Sequence, residues 1–242
     1  MPTTTVLCLG PAGAGPSFFR GWVAPDADIR VEPVSVPGRE RRFGEPAQET
    51  VAGLLGVLVP EVLPVADAAD RVVVLGHCYG AIVAYELCQA LAAARPGLPL
   101  ALVASGSTRP GVPRGGRITG LPDDEFVEGV ERIAGYTYPA LGRLELREVL
   151  LPPMRADVAM QESYEVDRAA PLLDIPVLSV RGADDTIVDA AKAAQWREIT
   201  TGPFELAELE GGHMYLVEGW PGLLALVAET VRAWDHAGKS AP

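Results

Sequence analysis

Residues 71–90 constrain this chain more than any other stretch. A β-branched run from Arg71 to Leu75 meets Gly76-His77-Cys78-Tyr79-Gly80 and passes straight into a pattern rich in Ala, Leu and Glu, which reads as strand, sharp turn and helix. The spacing Gly-x-Cys-x-Gly is that of a turn which lifts a nucleophile clear of a sheet edge, with sulfur in place of the more usual hydroxyl. Glycines two residues either side fit the purpose, because a β-carbon there would collide with the neighbouring strand or helix. The helix that follows aims its free amides and positive dipole end at the reacting centre, favouring a thiolate and an oxyanion alike. A buried core cysteine after an ordinary turn has the same local sequence, so the reading depends on what the rest of the chain supplies.

That chain has 242 residues, 48% of them apolar, which suits one α/β domain with a sizeable core. A net charge of −12 argues against nucleic acid and against an anionic membrane surface as partner. No apolar run approaches the roughly 20 residues of a membrane span, and the N-terminal residues enter a strand without a basic, cleavable leader, so a cytoplasmic protein is expected. The three cysteines, Cys8, Cys78 and Cys88, lack C-x-x-C spacing, which fits neither a disulfide framework nor a zinc site.

In order, Thr5 to Leu9 reads as a first strand, followed by a Gly- and Pro-rich loop from Gly10 to Pro16 whose backbone is free to approach a ligand. A short helix begins at Ser17, a second strand covers Ile29 to Val36, and a helix covers Thr50 to Leu63 with a kink at Pro60. Beyond the elbow helix, strands are expected at Pro99 to Ala104, Pro176 to Arg181 and Phe204 to Leu209, with a final helix from Pro221 to Trp234. Between them, residues 107–165 carry helical patterns around Phe126 to Ala134 and Leu144 to Leu151 and no strand, as a lid inserted into the domain would. The expected fold class is therefore α/β, a mostly parallel central sheet flanked by helices, with its site at the carboxyl edge.

A nucleophile at Cys78 needs a base, and the base needs an acid, in the chain order nucleophile, acid, histidine. Of three histidines, His77 sits on the strained turn and His236 in a polar tail, which leaves His213 in the Gly-Gly-His turn after the last strand. Asp184 and Asp185 both follow the strand ending at Arg181, and either has the right position for the acid. The oxyanion donors are expected to be the backbone amide of Tyr79, directly after the nucleophile, and that of Ala12 in the early loop.

Eight stretches extend this reading: CLGPAGAGPSFFRGW, VSVPGRERRFGEP, LGHCYGA, SGSTRP, LPDDEF, GADDTIV, WREITTGPFEL and LEGGHMYLVE. Together, in order and across nearly the whole chain, they resemble the type II thioesterases that serve polyketide and nonribosomal peptide synthases. The resemblance implies an α/β-hydrolase fold with a helical lid and hydrolysis of acyl groups from the phosphopantetheine arm of an acyl or peptidyl carrier protein. The arm is then part of the substrate, and no cofactor of the enzyme's own is implied. In that family the acid stands three residues before a Val, which selects Asp185 ahead of Val188.

The chain departs from the family at two places. Cys78 stands where members usually carry Ser, and the early loop reads Gly10-Pro11-Ala12-Gly13 rather than Pro followed by an aromatic residue or His. With sulfur the acyl-enzyme is itself a thioester, more receptive to amines and thiols relative to water, so acyl transfer or ring closure on a carrier-bound substrate is the alternative outcome. A dienelactone-hydrolase-like esterase shares the Gly-x-Cys-x-Gly turn but leaves PGRERRFGEP and the helical insertion unexplained. A non-catalytic binding protein of the same fold predicts a degraded triad. For an acidic enzyme meeting an acidic carrier, two arginine groups offer a basic docking patch: Arg39, Arg41 and Arg42, or Arg109, Arg114 and Arg117.

Overall fold

The computed structural model describes residues 3–112 and 116–239, with side chains described as far as Trp234. Strands β1 (Thr4–Leu9), β2 (Ile29–Pro33), β3 (Arg71–His77), β4 (Leu100–Ser105), β5 (Val177–Gly182) and β6 (Phe204–Leu209) form one sheet in the order β2-β1-β3-β4-β5-β6. Every pairing in it is parallel. Helices α1 (Val51–Asp67), α2 (Tyr79–Ala94), α3 (Asp123–Ala134), α4 (Leu144–Ser163), α5 (Ala190–Ala194) and α6 (Leu216–Lys239) connect and cover it.

Alternation along the central strands decides which helices go where, because successive strand side chains point to opposite faces. Leu7, Val72 and Val74 join α1 and α2 residues such as Leu54, Leu58 and Leu87 in one core. Val6, Cys8, Val73 and Leu75 join Leu223, Leu224 and Val227 of α6 in the other. All-parallel strands need both faces covered, which is why β3 reads as an unbroken apolar run rather than an alternating one.

The differences from expectation are mostly at element ends. β2 stops at Pro33 rather than Val36; Val34 still donates its amide to the Cys8 carbonyl at 3.0 Å and is buried with Val36, so the segment packs as foreseen without continuing the ladder. α1 begins where expected, with Thr50 Oγ1 accepting the Gly53 amide at 3.0 Å, and runs through Pro60 and Pro64 to Asp67. α4 passes Leu151 and continues through Pro152-Pro153, because Met154, Asp157, Val158 and Met160 are all buried beyond them. α6 starts at Leu216, one turn before Pro221.

The stretch between β4 and β5 contains no strand among its described residues and carries α3 and α4. These pack on a core of their own, with Ile118, Phe126, Val130, Leu141, Leu151 and Met154, and half-buried Ala12 of the early loop touches both this cluster and the one beneath α1 and α2. Among the described residues no helix is long and apolar enough to cross a membrane.

Candidate active site

The turn between β3 and α2 is built from close backbone approaches. A β-carbon on Gly76 would run into the Gly80 carbonyl, and one on Gly80 would lie 2.5 Å from the carbonyl oxygens of both Leu9 and Gly10. Both elbow glycines are thus required, and the second brings the loop after β1 against the start of α2. Cys78 itself adopts φ 56° and ψ −116°, a region that costs a non-glycine residue about 1–3 kcal/mol. Its amide donates to the Ser105 carbonyl at 2.9 Å, which anchors the strained turn to the end of β4. Tyr79 opens α2, so its amide is among those with no acceptor inside the helix. Its side chain is buried, and the hydroxyl donates to Met160 Sδ of α4 at 3.0 Å. Burial first, and the neighbouring Asp157 carboxylate second, hold the Tyr79 phenol well above its ordinary range.

On the far side of the sheet edge, the turn after β5 and the turn after β6 interlock. Ala183 and Asp184 donate their amides to Leu209 and Gly211 at 2.7 and 2.9 Å. Arg181 braces the first turn from within, donating to the carbonyls of Val188, Ala183 and Asp185 at 2.8, 3.0 and 3.2 Å. Asp185 is buried, and its Oδ1 accepts the amides of Ile187 and Val188 at 2.8 and 2.9 Å. That leaves Oδ2 for His213 Nδ1, 2.8 Å away. Asp184, one residue earlier, is exposed, so the structure brings Asp185 and not its neighbour against the histidine.

The other ring nitrogen of His213, Nε2, is buried and has no hydrogen-bond partner among the described residues. Burial disfavours the imidazolium, but the charge of Cys78 and the hydrogen bond and charge of Asp185 outweigh it and push the His213 pKa up to about 9. Asp185 is held below the usual carboxylate range: burial opposes this, and the hydrogen bond and charge of His213, then the two amides, prevail. Of the three residues expected from the sequence, Asp185 and His213 therefore meet at 2.8 Å, and Cys78 acts electrostatically on the same imidazole.

One expectation is corrected here. Arg39 does not belong to a solvated basic patch: it is 5% exposed and its guanidinium lies 2.6 Å from Asp157, itself 1% exposed. Its partners Arg41 and Arg42 divide differently, Arg41 being exposed while Arg42 pairs with Glu45 and Glu61. In the second group, Arg109 pairs with Glu198 at 3.0 Å and exposed Arg117 lies 3.7 Å from Glu162, while Arg114 falls outside the described residues. His236 lies on α6, in the part whose side chains are not described.

Sequence reasoning also passed over a buried polar chain behind the site. His77 Nδ1 lies 2.8 Å from Ser105 Oγ, which lies 2.6 Å from the Tyr215 hydroxyl, and the His77 ring centroid is 5.3 Å from that of His213. Gly106 fits between the two rings, where a β-carbon would strike His77. The available signal was a histidine inside an otherwise apolar strand, aligned with a serine at the end of the neighbouring one.

Residues 4–234 match the family described as "Thioesterase domain". The chain is 29% identical over 242 residues to a probable cadicidin biosynthesis thioesterase of Streptomyces griseus, covering 98% of this chain and 64% of that relative's length. It is 32% identical over 217 residues to the thioesterase PikA5 of Streptomyces venezuelae, covering 89% and 76%. The solved type II thioesterase BorB, from the borrelidin biosynthetic cluster, superposes with a TM-score of 0.80 at 31% identity, over 95% of this chain and 92% of that one. The parallel sheet and its flanking helices are those of the α/β-hydrolase fold as thioesterases use it. The chain belongs to the thioesterase domain family and is a hydrolase acting on thioester bonds.

Proposed function

We propose that this enzyme releases acyl groups from the phosphopantetheine arm of an acyl or peptidyl carrier protein in polyketide or nonribosomal peptide biosynthesis, using Cys78 as nucleophile. The observation that carries the reading is His213, whose Nδ1 is fixed by Asp185 at 2.8 Å and whose pKa is raised by Cys78 as well as by Asp185. The relatives named for cadicidin biosynthesis and for the borrelidin cluster support the substrate class.

In the first half-reaction the Cys78 thiolate attacks the thioester carbonyl, and the electron pair moved onto oxygen is stabilised by the amides of Ala12 and Tyr79. Collapse of the adduct breaks the bond to the pantetheine sulfur, which leaves as a thiol by taking the proton of the His213 imidazolium. In the second, neutral His213 accepts a proton from water as its oxygen attacks the acyl-Cys78 thioester. Collapse then releases the carboxylic acid and restores the thiolate and imidazolium. Asp185 keeps the imidazole in one tautomer and orientation throughout. The segment 107–165 acts as the lid over this site, with α4 resting on Tyr79 and the early loop, and no resident cofactor or metal takes part. The reaction is cytoplasmic, where Cys78 stays reduced.

A second reading is favoured by the sulfur itself. An acyl group on Cys78 remains a thioester, so an internal amine or hydroxyl of the acyl chain competes with water, and release by ring closure follows without any change in the protein.

Intact-protein mass spectrometry after mixing with an acyl-phosphopantetheinyl carrier protein tests the reading. The expected result is a transient acyl mass on Cys78 and free acid among the products. A protein that cleaves the thioester equally well as Cys78→Ala overturns it, and a cyclic product in place of the acid moves the assignment to the second reading.

A further inference from the structure

Pro37-Gly38-Arg39-Glu40 stood out in the sequence and has no part in the chemistry above. Its side chains reach the loop that carries Ala12. Arg39 Nη1 donates to the Ala14 carbonyl at 3.1 Å and to Asp157 Oδ2 at 2.6 Å, and Nη2 donates to Asp157 Oδ1 at 2.8 Å. The same Oδ2 accepts the Gly13 amide at 2.8 Å. Within the loop, Ala14 donates its amide to the Pro11 carbonyl at 3.0 Å. At the far end, the carboxylate of Glu40 accepts the Ser17 amide at 3.1 Å and the Ser17 hydroxyl at 2.5 Å.

These bonds fix the direction of the Ala12 amide without touching it. The Ala12 N–H shares a rigid peptide plane with the Pro11 carbonyl, which Ala14 holds, and the next plane carries the Gly13 N–H, which Asp157 holds. Gly13 is at φ +81°, and a β-carbon on it would press on Met154, so α4 lies directly against the turn. Asp157 and Met154 both belong to α4, whose Met160 also receives the Tyr79 hydroxyl. One helix of the stretch between β4 and β5 therefore bears on both expected oxyanion donors.

We propose that Asp157 and Arg39 are positioning residues that orient the Ala12 amide for the transition state, so that the oxyanion hole is in register only while α4 is seated over the site. The inference rests on the reading of Ala12 as an oxyanion donor. A buried ion pair can be replaced by apolar residues of similar volume without unfolding a protein, whereas removing one partner strands the other's charge. The test therefore uses paired changes: Arg39→Met with Asp157→Leu, which removes the acceptor of the Gly13 amide, and Arg39→Met with Asp157→Asn, which keeps one.

Two readouts separate positioning from general damage. Hydrolysis of a short acyl thioester needs the oxyanion hole, whereas alkylation of Cys78 by iodoacetamide is displacement at a saturated carbon and does not. The Met/Leu pair should lower kcat about ten- to a hundredfold with KM nearly unchanged and alkylation at the wild-type rate, and the Met/Asn pair should recover most of the loss. Wild-type kcat in the Met/Leu pair, equal losses in the two pairs, or alkylation falling in step with kcat would each overturn the proposal. Arg39→Lys, which keeps the charge opposite Asp157, supplies a fourth protein in which a large loss of alkylation would count against it. A wild-type protein that is alkylated but leaves the thioester intact removes the oxyanion reading itself, and this inference with it.

Discussion

The carbonyl oxygen of Gly10 lies 2.5 Å from where a β-carbon on Gly80 would stand, so the loop after β1 and the first turn of α2 touch backbone to backbone. A loop bearing one expected oxyanion donor and a helix opening on the other are kept in contact by the absence of a single methyl group. Gly80→Ala should therefore separate them. The expected cost is about 2–4 kcal/mol in urea unfolding, with loss of activity in whatever folds, because backbone rather than a flexible side chain must move. Wild-type stability in the variant would show that the contact is looser than it stands here.

Gly56 is the contrasting case. It is exposed in the middle of α1, and a β-carbon added there meets nothing within 4 Å. Alanine should stabilise the protein by about 0.5–1 kcal/mol through lower backbone entropy in the unfolded chain, with kcat unchanged. A destabilised Gly56→Ala would mean that this helix face is covered.

Within the proposed triad, the two adjacent aspartates give the sharpest comparison. Asp185→Asn replaces the acceptor facing His213 Nδ1 with an amide and should reduce kcat by up to about 10⁴-fold, the scale of a lost tautomer. Asp184→Asn, on an exposed side chain, should leave it within about twofold, as surface changes usually do. Cys78→Ala should abolish acylation, and His213→Ala should cost no less than Asp185→Asn, since such residues act as a unit. Steady-state kinetics giving the two aspartates in reverse order would reassign the acid.

What was legible in the sequence was mainly local. The strand-turn-helix around Cys78 and the alternation of strands with helices follow from patterns a few residues long, and His213 followed by elimination among three histidines. The choice of Asp185 over Asp184 needed the family pattern, since both side chains sit at the same strand end. Arg39 was misread because a run of arginines looks solvated from its neighbours alone, and its partner Asp157 lies 118 residues away. A carboxylate among Met154, Val158 and Met160 on α4 was the one hint of a buried pair. The ends of α4 and α6 were misplaced at prolines, where packing against the core outweighs the missing amides, two in α4 and one in α6.

The pH dependence follows from His213. Its pKa is raised from 6.5 to about 9, with Cys78 the largest of the influences that raise it. A raised histidine favours the folded state while protonated: this contribution is complete below about pH 6.5 and is lost as pH rises through about 9. The same proton must be present to release the pantetheine thiol, so kcat for a thioester should fall above about pH 9 in step with loss of the imidazolium. In Cys78→Ala the sulfur is gone while Asp185 stays, so the His213 ring protons followed by NMR should titrate at a lower pH than in the wild type. An unchanged midpoint in that variant would mean that Asp185 alone sets the charge on His213, and that the thiol does not share its proton with the ring.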